Sequence, residues 1–155
     1  MISPEQLAQN FPKAVKWVMD MERACMDIGQ PLSPRNRQVG EAIGIRKLAS
    51  VRVMVLSEIP LPGDPELRRL AEQNNLITST TAGMTFGYGI VLKVRSHNRH
   101  LIAHELGHVF QYERFGGIEP FLAAYIPEVV FPPYYPNGPL EQEAERLADI
   151  VCPIW

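Results

Sequence analysis

The sequence predicts a single α+β domain in which helices pack on a small β-sheet. The first 49 residues show helical periodicity, whereas the chain from Ser50 onward alternates between β-branched segments and helical segments. A length of 155 residues with 46% hydrophobic content suits one well-buried core. We therefore expect one domain over residues 1–155, with a helical part at 1–49 and a sheet with further helices at 50–155.

Signals for the start and end of helices recur in the N-terminal part. Residues 3–6, Ser-Pro-Glu-Gln, form a capping-box pattern, and Pro12 marks a second helical start. A shorter helix is expected over 33–44, between a Ser-Pro pair and a glycine. Between Pro12 and this shorter helix, apolar residues recur at three- and four-residue spacing, as on one buried face of a helix: Ala14, Val15, Val18, Met21, Cys25 and Ile28.

Extended segments begin after Ser50. The β-branched run 51–56 predicts a central strand, and residues 64–74 predict a helix that begins with Asp-Pro-Glu. The segment 84–94 predicts a second strand region. Its Gly-Tyr-Gly at 87–89 is followed by strand residues rather than a helix, so bulges or the close approach of another backbone fit better than a phosphate-binding loop.

Two helices are expected in the C-terminal half. Ser96 is a good N-cap for a helix over 97–115, which the glycine pair 116–117 would end. After a proline-rich loop at 131–139, helical propensity returns over 139–149. These two helices carry the residues with chemical potential.

The motif His104-Glu105-Leu106-Gly107-His108 lies within the first of these helices. Positions i and i+4 share one helical face, so both imidazoles can bind one metal ion while Glu105 lies beside it as a general base. This pattern is typical of zinc hydrolases. The alternative is an ordinary amphipathic helix whose histidines lie at the rim of the core.

Two further histidines precede the motif on the same helix. His100 and His108 are separated by about 12 Å along the axis at a rise of about 1.5 Å per residue, which is too far for ligands of one ion. His100 could pair with His104, but only the pair of His104 and His108 has a glutamate directly after its first histidine. We expect His97 and His100 to be surface or rim residues.

A third ligand is expected from the helix over 139–149. Glu141, Glu145 and Asp149 are spaced four residues apart on one face, and Glu143 points elsewhere. This face allows two registers. Either Glu141 binds zinc and Glu145 supports a ligating histidine, or Glu145 binds zinc and Asp149 supports it. A solvated acidic helix is the alternative that involves no metal.

These motifs carry a family resemblance. HELGH followed by a glutamate on a second helix resembles the gluzincin zinc metallopeptidases. The segments AGMTFGYGIVLKV, LIAHELGHVFQYERFGGIEPFLAAYI and PNGPLEQEAERLA resemble a bacterial family of small HExxH proteins, over about Thr81 to Ala148. The downstream motif of the small family matches residues 139–144 and favours Glu141 as the third ligand. The larger gluzincin pattern, Glu-x-x-Ala-Asp, matches 145–149, so Glu145 stays the alternative.

The resemblance implies a minimal zincin-like domain, a Zn²⁺ cofactor and the hydrolysis of a peptide bond in a peptide or protein substrate. Zinc would lower the pKa of its water toward about 7, and Glu105 would take the proton. The strand segment 85–94 would lie along the cleft and pair with an extended peptide. The oxyanion would need a donor from four tyrosines, of which the last two are best placed: Tyr112, Tyr125, Tyr134 and Tyr135.

The remaining features narrow the class of protein. A net charge of −2 without a basic patch argues against nucleic-acid binding. No apolar stretch approaches the roughly 18 residues of a membrane span and no export signal is seen, so a cytoplasmic location is expected. Cys25 and Cys152 are expected as buried free thiols.

The second functional hypothesis is a non-catalytic, zinc-stabilised domain that binds a peptide or protein.

Overall fold

A computed structural model describes residues 2–95 and 98–151, and this part of the chain is α+β. Ser96, His97 and Cys152, to which a cap, a rim histidine and a buried thiol were assigned, lie outside the described residues. The helices are α1 (Pro4–Ile28), α2 (Pro34–Ile43), α3 (Pro65–Gln73), α4 (Arg99–Phe115), α5 (Ile118–Val130) and α6 (Pro139–Val151). The strands are β1 (Gln30–Pro31), β2 (Arg52–Leu56), β3 (Gly83–Phe86) and β4 (Gly89–Lys93).

Helix α1 is one continuous helix of 25 residues. The predicted capping box is present, because Ser3 Oγ accepts a hydrogen bond from Gln6 N and the Gln6 side chain accepts one from Ser3 N. The second helical start predicted at Pro12 is wrong. Pro12 and Ala8 are both exposed, so the carbonyl group that Pro12 cannot bond is at the solvent-facing side of the helix.

The four strands form a mixed sheet in the order β1-β2-β4-β3. β2 is internal, as predicted, and it pairs in parallel with β4. The single strand region predicted over 84–94 is instead a hairpin, because Gly87 takes a positive φ of 64° and turns β3 antiparallel to β4. At Gly89 an added Cβ would lie 2.7 Å from the Cys25 Cβ and 3.4 Å from the Glu22 Cα, so the expected close approach is that of helix α1 and its side chains.

Strand β4 is covered on both faces. Ile90 and Leu92 belong to the apolar cluster that includes Leu106 of α4, whereas Val91 packs in the cluster that contains Val18 of α1. A strand that is buried on both faces has a continuous apolar sequence, as seen here. The sheet therefore lies between α1 and α4, and it holds α4 in a fixed position.

Two parts of the fold differ from the sequence-based expectation. β1 belongs to the segment 1–49, so that segment is not purely helical. Helix α5 was not predicted from the sequence, and it contains two prolines, Pro120 and Pro127. Pro120 lies in its first turn, where no intrahelical donor is needed. None of the helices within residues 2–95 and 98–151 combines the length and the apolar character of a membrane span.

Candidate metal centre

Helix α4 presents the HExxH motif toward α6. It begins at Arg99, with Asn98 as the N-cap, whose side chain accepts a hydrogen bond from Leu101 N at 2.9 Å. It ends at Gly116, which adopts the left-handed conformation with φ of 93°, as the glycine pair predicted. The apolar face of α4 packs on the sheet, and this packing directs the histidines away from it.

The structure brings together His104, His108 and Glu141. His104 Nε2 lies 3.0 Å from one carboxylate oxygen of Glu141, and His108 Nε2 lies 3.1 Å from the other. One ligand atom from each of the three residues lies within 4.8 Å of the others. Ligand atoms about 2.0–2.2 Å from a tetrahedral zinc ion lie roughly 3.4 Å apart, so this set fits zinc with little movement.

Along the contact between α4 and α6, histidines of α4 alternate with carboxylates of α6. Glu145 Oε2 lies 2.8 Å from His104 Nδ1, on the opposite side of the ring from Glu141. His100 Nε2 lies 2.8 Å from Asp149 Oδ1 and 3.1 Å from Glu145 Oε1. This is the arrangement of the first register, in which Glu141 faces both histidines and Glu145 supports one of them. We call His104, His108 and Glu141 the inner set. The half-buried His100 lies outside this set, in an outer group with Glu145 and Asp149.

Small residues allow the two helices to approach closely. A Cβ added to Gly107 would lie 3.2 Å from the Ala144 Cα, and Ala103 and Ala148 are fully buried. With no bulky side chain between the backbones, short carboxylate side chains on α6 reach the imidazoles of α4. The spacing of the helices is therefore part of the construction of the site.

A buried glutamine orients His108. The Gln111 Oε1 lies 2.9 Å from His108 Nδ1, and the Gln111 Nε2 donates to the Leu140 carbonyl and to the Glu143 carboxylate. Arg114 pairs with the same carboxylate at 2.7 Å. Hydrogen bonds to the outer nitrogen of a ligating histidine fix its tautomer and orientation. Gln111 and Arg114 act as hydrogen-bonding residues, and Glu143 pairs with them instead of facing His104, His108 and Glu141.

Glu105 lies next to the histidines in the motif, but its carboxylate bonds to Thr85, whereas the carboxylates of Glu141 and Glu145 contact His104. Its side chain is buried, and its Oε1 accepts a hydrogen bond of 2.7 Å from Thr85 Oγ1. A Cβ added to Gly83 would lie 3.2 Å from the Glu105 Oε2, so the glycine leaves room for the carboxylate. Thr85 was not singled out from the sequence, because a threonine in a strand is ordinary there.

The four candidate tyrosines take different positions. The Tyr112 hydroxyl donates to the Thr85 carbonyl at 3.2 Å, and the Tyr125 hydroxyl donates to Glu141 Oε1 at 2.7 Å. Tyr134 and Tyr135 are both exposed at their outer edges, and of these two only Tyr135 lines the space around Glu105 and Glu141. Burial and the charges of Glu141 and Glu105 raise the pKa of Tyr135 to about 12, so its hydroxyl keeps its proton at neutral pH. Among the four tyrosines, Tyr135 lines both the cavity and the cleft.

The site lies between a mostly apolar cavity and a second, more open cleft. The cavity has a volume of about 170 Å³ and mostly apolar walls from α1, α3 and α5. The cleft is bordered by the turn before β3, the start of α4 and the loop before α6. His104, Glu105 and Glu141 line both spaces. An extended molecule in the cleft could therefore place one of its groups in the cavity.

In the metal-free protein, His104 and Glu141 form a charged pair. Burial opposes a charge on His104, but its hydrogen bond to Glu141 and the nearby carboxylates outweigh burial and raise its pKa from 6.5 to about 9. Burial likewise opposes the charge on Glu141, yet hydrogen bonds from both histidines and Tyr125 hold its pKa well below the usual range. The metal-free site therefore carries an imidazolium paired with a carboxylate.

We expect the stability of the metal-free protein to fall between pH 6.5 and pH 9. The raised pKa of His104 contributes stability that is fully present below 6.5 and is lost as the pH rises through about 9. The lowered pKa of Glu141 contributes stability above about 4.5, which is lost only in acid. Thermal unfolding in a chelator should thus give the highest Tm between about pH 4.5 and pH 6.5, where both contributions are present. A Tm that stays level or rises from pH 6.5 to 9 would contradict the pairing, and Glu141→Gln should flatten the profile.

No protein-family model, curated protein or solved structure matches the chain. The interpretation of the site therefore depends on its own geometry. Two imidazoles and one carboxylate converge. Glu145 and Gln111 hold the outer ring nitrogens of the two histidines, and Tyr125 donates a hydrogen bond to Glu141 Oε1. A donor set of two histidines and one glutamate is the ligand set of one class of catalytic zinc site.

Proposed function

We propose that the protein is a zinc-dependent hydrolase. The observation that carries the proposal is the convergence of His104, His108 and Glu141 next to the buried carboxylate of Glu105. A purely structural zinc site is usually closed by four protein ligands and needs no general base. The three-residue set beside a carboxylate and a cleft instead matches a catalytic site with an open position.

Each residue of the site would have a separate role in hydrolysis. His104, His108 and Glu141 would hold the ion, which when bound would lower the pKa of a coordinated water and polarise the scissile carbonyl. Glu105 would accept the proton of the attacking water and deliver it to the leaving group. Thr85 holds Glu105 in place through a hydrogen bond of 2.7 Å, and Tyr135 would donate to the developing oxyanion.

Within this class, a metallopeptidase of the gluzincin type with a zincin-like fold is the particular activity that we propose. β4 has neighbours on both sides, so of the expected cleft strand 85–94 only the β3 portion offers a free edge within the described sheet. β3 also holds Glu105 through Thr85. A peptide that adds to this edge as an extra strand would pass close to the general base.

A non-catalytic zinc-stabilised binding domain is the second candidate function. The cavity next to the site favours it, since such a pocket can bind a peptide without cleaving it. The two functions differ in the need for Glu105. A binding domain has no use for a buried carboxylate that is held apart from the ligand set, and this difference makes the peptidase the preferred proposal.

Zinc analysis and cleavage of a peptide library test the proposed function. We expect the purified protein to bind one zinc ion tightly, to cleave library peptides, and to lose cleavage in 1,10-phenanthroline and regain it when zinc is added back. Binding of no zinc would contradict the zinc site. Tight zinc binding with no cleavage of any peptide would contradict the peptidase and favour the binding domain.

A further inference from the structure

The hydroxyl of Tyr125 bonds to a proposed metal ligand. Tyr125 lies on α5, in the wall of the apolar cavity, and its hydroxyl donates a hydrogen bond of 2.7 Å to Glu141 Oε1. A hydroxyl carries a single hydrogen, and Glu141 receives it here, so none is left for an oxyanion. Tyr125 therefore acts on the carboxylate of Glu141 rather than on a substrate.

The ring of Tyr125 is fixed from two sides. Phe121, one turn earlier on α5, stacks on it with the ring centres 5.2 Å apart and the ring planes at 18°. His108 of α4 meets it edge to face, with the ring centres 5.9 Å apart. Aromatic pairs in such arrangements stabilise each other beyond the burial of their surfaces. Both contacts oppose rotation of the ring, so they keep the hydroxyl at Glu141.

The two oxygens of Glu141 have different partners. Oε2 lies 3.0 Å from His104 Nε2. Oε1 accepts the hydrogen bond from Tyr125 and also lies 3.1 Å from His108 Nε2. A hydrogen bond to a carboxylate draws negative charge toward the oxygen that accepts it and occupies one of its lone pairs. Of the two oxygens, Oε2 is therefore the freer one to bind a cation.

The number of oxygens that Glu141 gives to a zinc ion decides how many positions stay open. With one oxygen, the inner set supplies three protein donor atoms, and a fourth position is left for water, as in catalytic zinc sites. With both oxygens, the inner set would supply four protein donor atoms, which is the number found in closed structural sites. The binding mode of this carboxylate thus separates the two kinds of site.

We infer that Tyr125 is a positioning residue, which holds Glu141 Oε1 away from the metal so that Glu141 binds it through Oε2 alone. The inference rests on the proposed function for the bound zinc ion, and it concerns how the open position of that site is kept. A phenylalanine at 125 could make the same ring contacts with Phe121 and His108. The hydroxyl, rather than the packing of the ring, is therefore the group that the role requires.

Tyr125→Phe in cobalt-loaded protein tests this role. Cobalt(II) accepts the same ligands as zinc, and it absorbs visible light more strongly with four donor atoms than with five. The wild-type protein should show the strong absorption of a four-coordinate ion. Tyr125→Phe should lose part of this absorption, because the freed Oε1 can turn to the ion as an additional donor. An unchanged spectrum in Tyr125→Phe would overturn the inference.

Two further variants separate the hydroxyl from the packing around it. Phe121→Leu removes the ring that stacks on Tyr125 but leaves the hydroxyl, so its Tm should fall while its cobalt spectrum stays like that of the wild type. Tyr134→Phe removes a hydroxyl from an exposed ring and should change neither property. If Phe121→Leu alters the spectrum as much as Tyr125→Phe does, packing sets the site and the assignment to the hydroxyl is wrong.

The wild-type protein offers a test that needs no variant, should Tyr125→Phe not fold. A crystal structure of the full chain with zinc should place Glu141 Oε2 about 2.0–2.2 Å from the ion and keep Oε1 on the hydroxyl of Tyr125. Both oxygens at that distance from zinc would overturn the inference.

Kinetics connect this role to the proposed function. Loss of a group that holds a metal ligand typically costs about 10–100-fold in activity, and in Tyr125→Phe we expect kcat and kcat/KM to fall together by that amount. The two proposals can fail separately. Peptide cleavage by a protein whose Glu141 binds zinc through both oxygens would overturn the role of Tyr125 alone. Binding through Oε2 alone, in a protein that cleaves no peptide, would leave this role and overturn the peptidase.

Discussion

Replacement of Glu105 by glutamine should nearly abolish peptide cleavage and leave zinc binding unchanged. Glutamine has the shape of glutamate but cannot accept a proton from water, so it removes the proposed base without removing a proposed ligand. General acid–base catalysis contributes about 10²–10⁴-fold, and we expect a loss of kcat/KM of that size. The measurements are kcat and KM on a cleaved peptide, together with the zinc content and Tm of each protein.

The surroundings of Glu105 make this variant a clean test. Thr85 Oγ1 donates to Glu105 Oε1 at 2.7 Å, and the amide oxygen of glutamine can accept the same bond. Glu119→Gln, at an exposed position on α5, changes the net charge by the same amount and should keep full activity. If Glu105→Gln cleaves as fast as the wild type, the proposed base is wrong even when zinc is bound.

The second large effect should come from Glu141. In Glu141→Ala both histidines lose the carboxylate that lies 3.0 Å and 3.1 Å from their Nε2 atoms, and the proposed ion loses a direct ligand. Loss of an outer partner of a metal ligand typically costs about 10–100-fold in affinity. Among the three proposed ligands, Glu145 contacts only His104, at its Nδ1 atom. Glu145→Ala should therefore show a loss of that size, and Glu141→Ala should show a larger one.

Competition with a chromogenic zinc chelator measures these affinities, and circular dichroism verifies that each variant is folded. Arg146→Ala, at an exposed position of the same helix, serves as the control and should bind zinc like the wild type. Full zinc retention in Glu141→Ala combined with loss in Glu145→Ala would assign the direct ligand to Glu145. That result would restore the alternative register, with Asp149 as the supporting carboxylate.

Local patterns predicted most helices because their signals lie within a few residues of each other. The cap and proline at 3–6 and the glycines at 44 and 116 mark ends that the structure confirms. The four-residue spacing of Glu141, Glu145 and Asp149 predicted a shared face, and the structure shows all three carboxylates facing histidines of α4. Periodicity alone left two registers open, since it cannot tell how far one helix slides along another.

The features that were missed depend on contacts between distant segments. Thr85 and Glu105 are 20 residues apart, and Tyr125 reaches Glu141 only because α5 folds back on α6. The hairpin at Gly87 was merged into one strand, because both strands are apolar and the turn holds only two residues.

The close contact between Gly107 and Ala144 bears on how the HExxH motif should be compared among sequences. Position 107 counts as unspecified in that motif, but here a side chain at 107 would compete for space with both the Cα and the Cβ of Ala144. The two positions should therefore vary together in evolution. Distant relatives are expected to carry a larger residue at one of them only where the other is glycine or where the helices separate. Such a coupled pair, rather than the histidines alone, would mark chains that share this helix spacing.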